Sequence, residues 1–300
     1  MMKTLRSAAE ETAAVLSAAG IEDPEFEAAV LLEDIGGASP AKVQLSQEEE
    51  LPEERAEAVA AAAKRRSEGY PLQYIIGSWD FYGRRFACGE GVLIPRQETE
   101  LLCECVIKYF AKRKPPRIVD LCSGTGCIAV TLAKEIPGAS VTAVELYDEA
   151  FAYLERNNAA FGGCVSAVKG DALLPFGEFD CVVSNPPYVA GTEMADLQKE
   201  VLAEPKTALF GGEDGLDFYR SIAKNWFEHI ASGGFIAFEI GDTQGRAVEA
   251  ILKENGYYGV SVWEDYAGLD RMGKRASPLM AETQPPKAAL FRSRYAKASS

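Results

Sequence analysis

The spacing of hydrophobic positions changes twice along this 300-residue chain. Over the first seventy residues it is helical. Leu5, Ala8, Ala9, Thr12, Val15, Leu16 and Ala19 share one face, and Gly20 can cap its end. Asp23-Pro24-Glu25 is a cap with proline at the first helical position. It starts a second helix through Ala28, Val30, Leu31 and Leu32, stopped by Gly36-Gly37. Ser39-Pro40 starts a short third helix, and Leu51-Pro52-Glu53-Glu54 starts a fourth that runs to Ser67. Residues 71–94 differ. Tyr74-Ile75-Ile76-Gly77, Trp79, Phe81-Tyr82-Gly83 and Phe86 read as a twisted hairpin turning at Gly83, and Val92-Leu93-Ile94 runs to Pro95. A helix is predicted over 99–111. From Arg117 short apolar runs alternate with helical stretches. Strands are predicted at 118–121, 141–145, 165–168, 179–184, 235–240 and 260–263. Helices are predicted from the glycine turn to Ile136 and over 148–161, 216–230 and 243–255, with an irregular stretch from Pro186 to about Gly215.

This alternation predicts the α/β class, a mostly parallel sheet covered by helices on both faces. The expected organisation is a helical bundle over 1–70, a β-hairpin linker over 71–94, a catalytic domain over 95–276 and a loose tail over 277–300. Nothing in the bundle looks catalytic, and an accessory recognition role is expected of it.

Composition narrows the partners. The net charge of −14 opposes general binding to nucleic acid phosphates. Lys64-Arg65-Arg66 and Arg84-Arg85 are the local exceptions, and each reads first as solvated helix-end or turn charge. Seven cysteines, mostly inside apolar runs, suggest free thiols in a reducing cytoplasm. Cys103 and Cys105 have no histidine nearby and His229 is the sole histidine, so no metal site is expected. No run of about 18 apolar residues suggests a membrane span, and the first residues read as no signal peptide. A monomer is the default expectation.

The chemistry concentrates at strand ends. Asn185-Pro186-Pro187-Tyr188 follows the fourth strand. Two prolines cannot donate to a ladder, so the strand must stop in a rigid turn. That edge of an open α/β sheet is where ligands bind. An amide side chain, proline carbonyls and an aromatic face suit a planar –NH2 group, whether of a base or of an amide. Cys122-Ser123-Gly124-Thr125-Gly126 joins the first strand to a helix, with Asp120 ahead of it. It fits neither G-x-x-x-x-G-K-[ST] nor G-x-G-x-x-G, and the acid favours a ligand with a positive part over a pyrophosphate. Glu145, ending the second strand, suits two ribose hydroxyls. Asp171, just past the third, suits an adenine amino group. Each acid alone reads as a loop charge. Together at one edge they describe an adenosine-bearing ligand with a cationic tail, S-adenosylmethionine.

With the Asn-Pro-Pro-Tyr turn added, the chain resembles Rossmann-like S-adenosylmethionine-dependent methyltransferases acting on planar nitrogens. Four further stretches narrow the resemblance. They are Pro71-Leu72-Gln73-Tyr74-Ile75-Ile76-Gly77, Phe81-Tyr82-Gly83, Leu93-Ile94-Pro95-Arg96-Gln97-Glu98-Thr99-Glu100, and Glu204-Pro205 with Ala208-Leu209, Gly211-Gly212 and Asp214-Gly215-Leu216. They resemble the peptide chain release factor N5-glutamine methyltransferases, from about residue 67 to Arg271. The resemblance implies the substrate, the glutamine of the Gly-Gly-Gln motif in class-1 release factors. It implies that Cys122 to Gly126 and Glu145 hold the cofactor and that Asn185 touches both cofactor and substrate. It also implies that Ala172, after Asp171, lines the adenine pocket without an aromatic side chain. Asp265-Tyr266-Ala267-Gly268-Leu269-Asp270-Arg271 also fits the family. Gln97 stands where a proline is usual and Cys122 where glycine is frequent. The residues after Arg271 lack the usual apolar final strand.

The expected mechanism has the Asn185 side-chain oxygen and the Pro186 carbonyl accepting the two amide hydrogens, with Tyr188 stacked on the amide plane. His229 is read as structural. Three rivals stand beside it: N5-glutamine methylation of a ribosomal protein, adenine-N6 methylation of nucleic acid, and a non-enzymatic cofactor-binding scaffold.

Overall fold

The computed structural model describes residues 3–263 and 287–293, in two compact units. The first runs to Trp79 and includes Lys199–Ala203. Its elements are β1 (Lys3–Thr4), α1 (Leu5–Ala18), α2 (Pro24–Asp34), α3 (Pro40–Leu45), β2 (Glu50–Leu51), α4 (Glu53–Ser67) and α5 (Leu72–Ile76). The Thr4, Asp23 and Ser39 side chains accept from backbone N–H groups one turn on and so cap α1, α2 and α3. Leu5, Leu16, Leu31, Leu32, Leu51 and Val59 form the bundle core. Within the basic run at the end of α4, Lys64 and Arg65 are exposed and Arg66 is buried. Arg66 grips Glu27 with two parallel bonds of 2.6 and 2.9 Å and reaches Glu200 at 2.8 Å. The Arg65 guanidinium lies 4.3 Å from the centre of the Tyr70 ring.

The Tyr74–Ile76 run, expected as strand, is helical. Pro71 O accepts from Tyr74 and Ile75, and Gly77 ends the turn at φ +77°. An apolar run this short fits either period, and proline ahead with glycine behind decided it.

The second unit begins within β3 (Ser78–Phe81), which pairs with β4 (Arg84–Ala87) in a hairpin. There follow α6 (Thr99–Phe110), β5 (Arg117–Leu121), α7 (Cys127–Glu135), β6 (Ser140–Glu145), α8 (Asp148–Ala160), β7 (Ser166–Lys169) and β8 (Phe179–Ser184). After α9 (Lys199–Leu202), which belongs to the first unit, come α10 (Lys206–Leu209), α11 (Asp217–Trp226), β9 (Ile230–Gly241), α12 (Gly245–Glu254), β10 (Tyr258–Trp263) and β11 (Lys287–Ser293). The seven-stranded sheet has the order β10-β11-β9-β8-β5-β6-β7. Val92–Ile94 joins no ladder. Part of the expected loose tail over 277–300 is corrected: β11 lies between β9 and β10, parallel to both. The rest of that tail, and the stretch Asp265–Arg271, lie outside the described residues.

Alternating side chains of the central strands feed two cores. Ile118, Val141, Ala143, Cys181, Val183 and Ala237 pack with α6 and α7 on one face. Val119, Leu121, Val144, Val182, Ile236 and Phe238 pack with Tyr219 and Trp226 of α11 on the other. Burial on both faces is why these strands read as continuous apolar runs. The chain builds outward from β5 through β6 to β7, then crosses to place β8 on the other side of β5. That reversal opens a crevice at the strands' C-terminal ends. Leu121 is in register with both Val144 and Ser184, so Cys122, Glu145 and Asn185 leave the sheet side by side.

Candidate active site

The crevice is a cleft in the second unit of about 890 Å³, counted out to open solvent. Cys122, Ser123, Gly124, Thr125, Glu145, Asp171, Ala172, Asn185 and Pro187 line it. The expected site residues Gly126, Pro186 and Tyr188 do not. Gly126 instead lets α7 pack on α8, for a Cβ there would lie 2.5 Å from Leu154 Cδ1. Pro186 is buried, and Tyr188 packs against the core on the α11 face while its carbonyl accepts from Gln244 Nε2 at 2.9 Å.

Glu145 shapes one end of the cleft. Its Oε2 accepts from Gly124 N–H at 2.9 Å, and Oε1 accepts from Leu146 and Tyr147 N–H at 2.8 and 3.0 Å. A carboxylate has about four lone-pair sites, so these bonds fix its direction and still leave acceptor capacity. Asp171 is fixed similarly, with Oδ1 accepting from Leu173 N–H at 2.8 Å. Asp120, by contrast, does not reach the cleft. It lies fully buried beneath the turn, and neither carboxylate oxygen has a hydrogen-bond partner. Ser123 Oγ bonds the Asp120 backbone carbonyl rather than the carboxylate. Burial, reinforced by the nearby Glu145 charge, pushes the Asp120 carboxyl up to about 8. Burial, with the Glu145 and Asp120 charges, also drives the Cys122 thiol far above the usual range, so it is no nucleophile at neutral pH.

The opposite wall belongs to the loop before α6. Ile94 N–H donates to Glu204 Oε2 at 2.9 Å, and Arg96 bonds the other oxygen of that buried carboxylate. Burial raises the Glu204 carboxyl while Arg96 opposes the rise. Thr99, at the start of α6, lies 3.3 Å from Asn185, whose Nδ2 donates to the threonine hydroxyl. Phe218 of α11 and the Pro205, Thr207 and Ala208 stretch complete this side.

Several supporting residues carry no local signal. Asn157 donates to the Thr125 and Ala87 carbonyls at 2.9 and 3.0 Å and accepts from Ala87 N–H at 2.8 Å, tying the glycine turn to β4. Trp226 Nε1 and Asn225 Nδ2 hold the Ala172 and Leu173 carbonyls at 2.7 and 2.9 Å, fixing the turn after β7. Gly211 and Gly215 leave room for Pro187 and Tyr188: a Cβ on Gly211 would lie 2.6 Å from Pro187 O, and one on Gly215 2.3 Å from Tyr188 O. Gly211 N–H also donates to Val189 O at 2.9 Å, and Val189 N–H donates to Leu209 O at 2.8 Å. The stretch that reads as a family signature from Glu204 to Leu216 is therefore the support of the Asn-Pro-Pro-Tyr turn.

A parallel sheet with its cleft at the switch point, a short glycine turn, and acids ending the next two strands define a Rossmann-like methyltransferase. Comparison with known proteins agrees. Residues 7–77 match the family model described as the PrmC N-terminal domain, and residues 97–214 that of the methyltransferase small domain. The chain is 40% identical over 238 residues to the release factor glutamine methyltransferase of Thermodesulfovibrio yellowstonii, covering 77% of this chain and 85% of that one. It is 38% identical over 253 residues to that of Neisseria gonorrhoeae, covering 83% and 92%. For that of Moorella thermoacetica the figures are 37% over 273 residues, 89% and 96%. The chain belongs to the release factor glutamine methyltransferase family.

Proposed function

We propose that this chain transfers a methyl group from S-adenosylmethionine to the side-chain amide nitrogen of the Gly-Gly-Gln glutamine in class-1 translation release factors. The observation that carries the reading is Asn185 at the rim of the cleft. Its Nδ2 is directed to Thr99, and no donor among the described residues bonds its Oδ1. An open acceptor beside the cleft suits an incoming –NH2 group. The residues present also fit the cofactor. Among the charged lining residues Glu145 and Asp171 are acidic, and the one cation, Arg96, is bonded to Glu204. This charge disfavours a phosphate and favours a cationic nucleoside derivative. Glu145 suits the ribose hydroxyls, Asp171 the adenine amino group, Leu146 and Ala172 its apolar faces, and Cys122 to Thr125 the backbone approach.

An amide nitrogen is a weak nucleophile because its lone pair is delocalised into the carbonyl. When bound, the cofactor supplies a methyl group on a positively charged sulfur. Asn185 Oδ1 accepts one amide hydrogen, holds the –NH2 plane and draws electron density toward nitrogen. The rigid Pro186-Pro187 turn keeps that oxygen in place, and orientation of this kind supplies up to about 7–11 kcal/mol in ideal cases. The product nitrogen sheds its proton readily, so no strong base is required. The Pro186 carbonyl is the second acceptor in this reading. The helical unit docks the release factor, and the enzyme works as a cytoplasmic monomer.

The test uses labelled S-adenosylmethionine, purified release factor and a variant factor with alanine in place of the Gly-Gly-Gln glutamine. Label on the wild-type factor alone is expected, and Asn185→Ala should abolish it while cofactor affinity by calorimetry stays near the parent value. Label on both factors, on ribosomal protein or on nucleic acid in preference, would overturn the substrate. Single-turnover transfer by Asn185→Ala near the parent rate would remove Asn185 from the reaction.

A further inference from the structure

An asparagine amide presents oxygen on one side and –NH2 on the other, and its terminal torsion has two roughly equivalent settings. Only the setting with Oδ1 toward the substrate can accept a hydrogen from a substrate amide. In that setting Nδ2 turns the other way and needs an acceptor of its own. Thr99 Oγ1 is that acceptor, at 3.3 Å, on a residue only 3% exposed. We propose that Thr99 is a positioning residue for methyl transfer, selecting the Asn185 rotamer that turns its oxygen to the substrate.

Thr99 is itself held firmly. A threonine side chain is stiff at χ1. Its N–H donates to Arg96 O at 3.2 Å, and Arg96 is bonded to the buried Glu204. The next residue, Glu100, accepts from Tyr82 N–H at 2.7 Å and so pins the start of α6 to the hairpin turn. The hydroxyl therefore stands on a fixed frame at the cleft wall, with Asn185 on the end of β8 facing it. Without the hydroxyl, the productive setting leaves Nδ2 with no acceptor at a largely enclosed position. Neither setting then pairs the end of the amide that faces residue 99, so the preference for the productive setting is lost and part of the population presents –NH2 to the substrate, where two donors face each other.

This inference rests on the reading of Asn185 as the acceptor for the glutamine amide. The experiment compares Thr99→Val, which keeps the shape and loses the acceptor, with Thr99→Ser, which keeps it. Single-turnover methylation of purified release factor, KM for the factor, and cofactor affinity by calorimetry are measured for each. Thr99→Val should lower the transfer rate about 10- to 100-fold, the effect of one buried donor left unpaired. KM and cofactor affinity should change less than about threefold, and Thr99→Ser should recover most of the rate. Parent-like transfer by Thr99→Val overturns the positioning role and leaves the proposed function standing. An equal loss in Thr99→Ser, or a matching loss of cofactor affinity, also overturns it, pointing to packing or cofactor contact instead. No label on the factor from the parent enzyme overturns the proposed function and, with it, this role.

Discussion

Gly211 offers a direct test of how the catalytic turn is held. A methyl group added there would sit 2.6 Å from Pro187 O, 2.7 Å from Tyr188 Cα and 3.0 Å from Gly215 O. All three are backbone atoms, so no side chain can swing away. The closest contact is about 0.8 Å short of ordinary van der Waals distance. Gly211 N–H also donates to Val189 O at 2.9 Å, so pushing the strands apart strains that bond as well. Gly211→Ala should therefore displace the 187–189 stretch by several tenths of an ångström. Overpacking of this kind costs about 1–3 kcal/mol. For a unit of roughly two hundred residues that lowers Tm by about 2–12 °C. Asn185 lies two residues before the displaced backbone, and misplacement of about 1 Å can cost up to a hundredfold in rate. The expected loss is about 10- to 100-fold in single-turnover transfer. Cofactor affinity should hold, because Cys122 to Thr125 lie in the turn after β5 and Glu145 ends β6, away from the displaced stretch. Gly162→Ala is the control: its φ of +85° strains the backbone locally, but nothing lies within 4 Å of the added carbon. It should lower Tm slightly and leave transfer alone. Gly211→Ala with a parent-like rate and an unchanged Tm would refute the account of the turn's support.

Two further outcomes follow from the buried acids. Glu145→Ala should weaken cofactor binding, read by calorimetry, and also lower Tm, because the Gly124, Leu146 and Tyr147 N–H groups lose their acceptor; unchanged affinity would remove Glu145 from the ribose site. Asp120 has a folded-state pKa raised to about 8 from 3.8, so its protonated form stabilises the fold fully below about pH 4 and loses that contribution as pH rises through 8. Asp120→Asn should thus be more stable than the parent near pH 9, with the difference closing toward pH 4; parallel Tm curves across that range would show that Asp120 does not titrate with folding.

Much of this site was legible because its chemistry is written in short local runs. Asn185-Pro186-Pro187 must end a strand, Gly124 must sit in a tight turn, and Glu145 ends an apolar run at the same edge. The parallel strands were legible for the same reason, since burial on both faces leaves no polar alternation. What escaped were single polar side chains that act at long range. Asn157, Asn225, Trp226 and Gln244 each bond a backbone carbonyl far along the sequence. Nothing in their neighbours marks them. β11 escaped because its partners, β9 and β10, precede it by tens of residues and its own apolar run is four residues long. The packing of Tyr188 was not legible for a different reason. An aromatic after a proline turn suggests an exposed stacking face, yet the clamp of Gln244 and Gly215 turns this residue against the core.

Cys122 shows how the local frame tolerates a departure. The backbone here favours glycine: Cys122 has φ +59°, a left-handed conformation that costs a non-glycine residue about 1–2 kcal/mol. The strain persists because bonds on either side determine the path. Ser184 Oγ donates to Leu121 O at 2.6 Å before it, and Ser123 N–H donates to Val144 O at 3.0 Å after it. The chain is held to β8 on one side and β6 on the other, so the residue between has no freedom to relax. A cysteine there keeps the turn's course and adds a protonated sulfur to the cleft wall. The turn's shape is thus imposed by the two neighbouring strands, and glycine is the least strained occupant of it, not its cause.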